Sequence, residues 1–420
     1  MSRVWDRAVL VALLLLVCRV LGAEAPAPRA SSEEEDPTST LDLEAYHQGL
    51  DVAGWPILSY RDDWGWLFGA YLDVFDYGEA RAPEGVSPAL YEWRVRGQSV
   101  ATPGRMHDHF VQVDLPGIGA SALRLLVSAG YGDYPSERYF GLGNASTWDP
   151  ALESKGDPEF LHERYTCFRL RRPWATLSAR LPLGLARRLL LVGALGWEWD
   201  MVDAESGTRM ALERPRGVEG AAHGYASLGL LYDSRDSEAM PGAGHLASMT
   251  LRGGGPALGG EYWFTGVNLE LRAYHRLVGS LILANRIALD ALAGAPPFWE
   301  LAAFRGVDPF LGLGGGASLR GYPRRRFIGP LKLLWNMELR WTPLSFALWN
   351  QRLDLGAVLF KDSGRVWSWE DDGPLGWTLG MHNTLGAGLR AAWDEHTVFR
   401  VDLGCSNEAQ SIDLVVGQMF

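Results

Sequence analysis

Residues 310–341 read FLGLGGGASLRGYPRRRFIGPLKLLWNMELRW. The stretch has two halves with different physics. In the first, Gly312, Gly314, Gly315 and Gly316 lead into Leu319-Arg320-Gly321-Tyr322 and a basic run, Arg324 to Arg326. Glycine lets backbone turn tightly and lie close against other backbone. The second half alternates. Leu331, Leu333, Trp335, Met337, Leu339 and Trp341 share one face, and Lys332, Leu334, Asn336, Glu338 and Arg340 share the other. A period of two means a β-strand. An apolar, aromatic face backed by a charged one suits the wall of a membrane barrel, with lipid outside and a polar lumen within.

The pattern extends outward in both directions. A first strand at 64–69 is followed by candidates at 88–99, 107–115, 120–132, 161–171, 173–182, 188–201, 224–234, 245–253, 262–274 and 279–291. After the glycine-rich loop come 331–342, 353–362, 384–393, 397–404 and 412–420. The expectation is an all-β fold: a transmembrane antiparallel β-barrel of sixteen strands, with fourteen as the alternative. A long inward-folding loop precedes the twelfth strand. No fixed-period repeat of the propeller kind emerges, and aromatic outer faces disfavour a soluble β-sandwich.

Composition agrees. Among 420 residues, 50 Gly, 18 Trp, 14 Tyr and 15 Phe fit many short strands with aromatic girdles. A net charge of −11 with no basic tail argues against nucleic acid as a partner. Arg3 and Arg7 precede the apolar run Ala8 to Val17, and small residues follow at Gly22, Ala23 and Ala25. That predicts a signal peptide over residues 1–25, its core too short to span a bilayer. Residues 26–45 are rich in Pro, Ser and Glu, so 26–54 is expected to be a disordered acidic linker running into the start of a barrel at 55–420. Cys18 falls in the leader; Cys167 and Cys405 leave room for one disulfide without requiring it.

Several motifs resemble those of the Omp85 superfamily of outer-membrane barrels. L-R-G-Y at 319–322, N-x-E-L-R at 336–340 and F-x-D-x-G at 360–364 occur in order at family spacing. Tyr232-Asp233-Ser234-Arg235-Asp236, then Pro241 and Gly244, matches a further family pattern. Pro56 with Tyr60 is similar to the family's barrel start, and Tyr139 to Asn144 to one of its loops. An alternating final strand closed by the aromatic Phe420 resembles the signal by which outer-membrane barrels are recognised for insertion.

The resemblance implies that the L-R-G-Y loop folds into the barrel and that Arg320 pairs with Asp362 and Glu338. Gly321 would permit the sharp turn and Tyr322 would pack beside it. A guanidinium suits this role because its planar fork of donors matches carboxylates and stays charged. The alternative leaves Arg320 on an exposed tip, with the acids merely lining a polar lumen. For Asp233 and Asp236 a metal role is weak, because Arg235 between them neutralises charge; a turn pinned by Asp–Arg pairs is the better reading.

Two functions follow. In one, the barrel moves or inserts polypeptide or lipid at the seam between first and last strands. In the other, it is a passive pore or a structural surface antigen. The interval before the first strand is too short for the periplasmic POTRA domains of the family's assembly factors, which weighs against the first. Catalysis is not expected: there is no H-E-x-x-H, no G-x-S-x-G, and a strand rather than a helix follows the glycine loop. No cofactor or metal is expected. The expected partners are outer-membrane lipid and lipopolysaccharide, the barrel-assembly machinery during biogenesis, and a periplasmic protein.

Overall fold

In the computed structural model, sixteen antiparallel strands close into a barrel in chain order. They are β1 (Leu50–Arg61), β2 (Gly65–Asp76), β3 (Trp93–Ala101), β4 (His107–Leu115), β5 (Arg124–Arg138), β6 (Cys167–Leu183), β7 (Leu189–Asp203) and β8 (Ala221–Asp233). Then come β9 (Gly244–Gly254), β10 (Phe264–Val278) and β11 (Leu281–Gly294). A two-stranded sheet, β12 (Ala303–Phe304) with β13 (Phe310–Leu311), interrupts the series. The wall resumes with β14 (Leu331–Leu348), β15 (Gln351–Trp367), β16 (His382–Trp393), β17 (Thr397–Cys405) and β18 (Gln410–Val416). The structure describes residues 49–61, 64–76, 91–118, 121–184, 188–238, 240–348, 351–368, 380–393, 397–416 and 419–420. The expected leader, and the expected linker as far as residue 48, lie outside them.

Side-chain alternation explains the closure. On β14, Trp335 and Trp341 are 41% and 53% exposed, while Lys332, Asn336 and Glu338 on the other face are fully buried. On β15, Leu359 faces out, whereas Val358, Phe360 and Asp362 face in. Outward apolar side chains continue around the wall: Phe68, Leu195, Leu228, Leu251, Leu389 and Leu403. A belt this extensive is not the surface of a water-soluble monomer. It is the outer face of a transmembrane barrel.

The strand count of sixteen is right through two errors that cancel. Residues 55–60 form part of β1, a strand in its own right, where a lead-in to 64–69 was expected. β1 begins at Leu50, within the 26–54 stretch expected to hold both the linker and the barrel entry. Conversely, 161–171 and 173–182 are one strand, β6. Pro173 removes one ladder donor, yet it sits opposite Tyr131 of β5 and the register to β7 is the same before and after it. Among the other strands, β5 is displaced to 124–138, and β18 is described over Gln410–Val416, with residues 417–418 of the expected 412–420 outside the described residues.

Successive connections alternate between the two ends of an antiparallel barrel. One end carries 139–166, 204–220, 255–263 and 295–330; the other carries the turns 234–243 and 279–280. At the first end the connections share an apolar core. Tyr139, Phe168 and Ile328 pack with Met210 of the short helix α1 (Arg209–Glu213) and with Phe298 and Trp299 of α2 (Phe298–Leu301).

Candidate functional site

The buried face of β14 and β15 meets the glycine-rich segment at Arg320. Arg320 Nε donates to Asp362 Oδ2 at 2.9 Å and Nη2 to Asp362 Oδ1 at 2.8 Å, a bidentate pair. Nη1 donates to Glu338 Oε1 at 2.6 Å and reaches Asp402 Oδ2 of β17 at 3.4 Å. The guanidinium carbon lies 3.4 Å from the centre of the Phe360 ring. Asn336 Nδ2 bridges Asp362 Oδ1 and the Ser318 carbonyl, both at 2.8 Å. The acids also receive Arg340 (Glu338) and Arg390 and Arg400 (Asp402).

Backbone proximity brings Arg320 there. Gly321 has φ +98°, in the left-handed region. A Cβ on it would lie 2.9 Å from Gly404 C, and one on Gly404 would lie 2.6 Å from Arg320 C. Two glycines thus let the turn and β17 touch backbone to backbone. Gly321 N donates to Ser411 Oγ at 2.9 Å, and the Tyr322 hydroxyl donates to Asn407 Oδ1. Tyr322 packs edge-on to Phe327 and His382. Burial, then the Glu408 charge, push its phenol up to about 12. The three arginines that follow all have partners: Arg324 and Arg325 reach Glu137, and Arg326 reaches Glu408 and Ser146.

A second ionic network, absent from the sequence reading, holds the other half of the segment. Arg305 forks onto Glu198 of β7 at 2.7 and 3.1 Å and also meets Glu300. His223 Nε2 of β8 lies 3.0 Å from Glu300 Oε1. Arg252 of β9 contacts Glu300 at 3.4 Å and forks onto Asp290 of β11, which also receives Lys332. Trp197-Glu198-Trp199-Asp200 carried the signal, since aromatic and acid alternate there as apolar and charged residues do in β14.

Elsewhere, Arg235 forks onto Asp233 at 3.0 and 2.8 Å, and Asp236 Oδ1 accepts from Gly242 N at 2.9 Å. Asn144 ties its loop to β15 and β16: its Oδ1 accepts from Val366 N and its carbonyl lies 3.2 Å from His382 Nε2. Cys167 is buried, Cys405 is exposed, and they are not bonded to each other. Phe420 does not lie on β18. It is buried inside, against Tyr274, Arg286 and Arg340 of β10, β11 and β14.

The barrel closes between β1 and β18, and that seam is thin. Twelve residue pairs join β1 to β2, from Leu50↔Asp76 to Arg61↔Gly65. Among the described residues a single pair, Tyr60↔Leu414, joins β1 to β18, with Ser59 Oγ donating to the Leu414 carbonyl.

Residues 224–395 match the Omp85 superfamily domain. No curated protein matches the chain in sequence. Among solved structures, BamA from Haemophilus ducreyi lacking POTRA domains 1–3 superposes with a TM-score of 0.55 at 13% identity, covering 88% of this chain and 70% of its own. CdiB from Escherichia coli gives 0.54 at 14% identity, covering 87% and 62%. CdiB from Acinetobacter baumannii gives 0.50 at 12% identity, covering 88% and 60%. The chain thus spans about three fifths of either CdiB chain. Residues 224–395 are similar to the Omp85 superfamily domain, and the closed, sixteen-stranded barrel that contains them is similar in fold to that of BamA.

Proposed function

We propose that this chain acts in the outer membrane as an Omp85-type barrel that inserts or passes polypeptide or lipid at the β1–β18 seam. In this reading segment 295–330 occupies the lumen, fastened by Arg320 on one wall and by Arg305 and Glu300 on the other. The seam carries the proposal. In hydrocarbon an unpaired backbone N–H or C=O finds no water, so a strand edge left open there demands a partner. Along Leu50–Leu58 of β1 no β18 partner stands among the described residues. A client strand could add to that edge by backbone hydrogen bonding. The outer-membrane lipid around the apolar belt and a periplasmic protein delivering the client are its partners, and the assembly machinery inserts the barrel itself.

A passive pore fits less well, because the buried partners of 298–328 leave that segment little freedom to stand aside. The test is a disulfide across the seam, Tyr60→Cys with Leu414→Cys, in protein refolded into lipid vesicles. Insertion of an unfolded barrel protein into those vesicles should stop when the bond is oxidised and return on reduction. Equal insertion in both states would remove the seam from the mechanism and favour a structural barrel.

A further inference from the structure

Two arginines of β6 stand on the lipid face. The register with β5 and β7 sets Arg171 opposite Asp133 and Met201, and sets Pro173 opposite Tyr131. The neighbours Leu170 and Arg172 turn inward, Leu170 fully buried and Arg172 donating to the buried carboxylate of Asp200. Arg169 and Arg171 point out, and their surroundings differ. Arg169 forks onto Asp133, Nε to Oδ1 at 3.0 Å and Nη2 to Oδ2 at 2.7 Å, which engages both carboxylate oxygens. Arg171 makes neither hydrogen bond nor ion pair among the described residues, although its Nε is buried. The exposed Asp203, opposite Arg169, bonds to neither arginine. Polarity is graded along the same strands. Next to the charged row Tyr131 and Trp199 face out, then Ala129, Ala175 and Trp197, then Val127, Leu177 and Leu195. Tyrosine and tryptophan collect at the membrane–water interface. An outward arginine destabilises a barrel strongly at the bilayer midplane and scarcely near that interface. The row of Arg171 thus lies at headgroup depth. It stands at the end of the barrel that carries the long connections 139–166 and 204–220, which in outer-membrane barrels faces the outer leaflet.

We propose that the outer wall around Arg171 is a binding site for the phosphate group of an outer-leaflet lipid, with Tyr131 and Trp199 flanking that lipid below its headgroup. A guanidinium desolvated at Nε and left without an acid needs an anion. Its planar fork presents parallel N–H donors that match phosphate oxygens two at a time. Asp133 stands directly opposite Arg171 and would be the protein's own partner, but its oxygens are spent on Arg169. The Arg169–Asp133 pair therefore leaves Arg171 open to a ligand from outside the chain. A phosphate monoester carries close to two charges at neutral pH and is the stronger ligand for such a site. The site needs a barrel that spans a bilayer, but it does not need the seam reading. Lipid retention is measured without a client, so failure of one leaves the other standing.

The experiment uses the full chain refolded in detergent micelles, with the lipid it retains read by native mass spectrometry. Two probes are compared: lipid A, a glycolipid bearing phosphate monoesters, and the same lipid with its phosphates removed. The parent should retain the phosphorylated lipid with an affinity about tenfold above that of the stripped one, the gain expected of one charge-assisted fork. Arg171→Gln should abolish most of that preference. Arg214→Gln, which removes an exposed arginine paired with Glu219 at the same end of the barrel, should leave the preference intact. Asp133→Asn releases Arg169 to join the site and should raise the preference, a readout that stands even where Arg171→Gln does not refold. Inorganic phosphate in large excess should not displace the lipid. Three results overturn the proposal. In one, the parent retains both lipids equally. In another, the preference is unmoved by Arg171→Gln and Asp133→Asn, or falls as far with Arg214→Gln. In the third, inorganic phosphate displaces the lipid, which would make Arg171 a site for a free anion.

Discussion

Arg320 makes its chemistry through geometry rather than charge alone. Its planar fork spans Asp362 while the remaining nitrogen reaches Glu338, a shape no ammonium reproduces. Removing one member of a buried ionic cluster leaves its partners desolvated and unpaired, at a cost of about 3–5 kcal/mol. Arg320→Ala should therefore lower the urea midpoint of the refolded barrel and turn small, flickering bilayer currents into larger ones. Arg320→Lys should recover only part of both. Gly404→Ala is the sharper variant, because it changes no charge. The added methyl would lie 2.6 Å from Arg320 C and 2.7 Å from Gly321 N, so the turn must move off β17. Its currents should resemble those of Arg320→Ala. Currents identical to the parent in both variants would mean that Arg320 does not hold the lumen shut. Motif order marks Arg320, Glu338 and Asp362 in the sequence. Nothing local marks Gly404 or Asp402, because they meet the turn only after β17 has come round to close the barrel.

At the scale of elements, alternation was legible and boundaries were not. Leu331 to Trp341 announces its strand because every second side chain is apolar. Pro173 suggests a break that the paired neighbours override, and Leu50 to Gly54 is not set off as a strand because its polar neighbours upstream dominate the composition. Segment 295–330 is the element least legible, since its fastenings come from strands on both sides of it in the chain, from Glu198, 107 residues before Arg305, to Asp402, 82 residues after Arg320. Glu300 illustrates this. Burial alone would raise its carboxyl, but Arg305 above all, then His223 and Arg252, hold it well below the usual carboxylate range. A depressed folded value means that the stabilisation is present above the unfolded carboxylate value, about 4, and is lost as pH falls through the folded one. Conductance should therefore be unchanged between pH 7 and pH 5 and should rise only in stronger acid. Glu300→Gln should carry the larger currents at every pH. An opening midpoint near neutrality would show that some other group governs the segment.

The whole molecule sets a continuous outer belt against one weak line of closure. Among the described residues, fifteen of the sixteen junctions are ladders of many pairs, and the remaining one is Tyr60↔Leu414. Ladder hydrogen bonds protect amides from exchange, and protection tracks the free energy of local opening. Each interior strand is secured on both edges. Among the described residues β1 is secured on one along Leu50–Leu58, and Pro56 within it lacks an N–H altogether. In vesicle-embedded protein, those amides of Leu50–Leu58 that point towards β18, reached by water from the polar lumen side of the open edge, should exchange at least an order of magnitude faster than the amides of β10 and β11, which are paired to each other over fourteen positions. Amides of the same stretch pointing at β2 should be slow, which separates an open edge from a strand that is loose throughout. Uniform protection across β1 would mean that the seam is closed in the bilayer, and client pairing would then need a force that opens it.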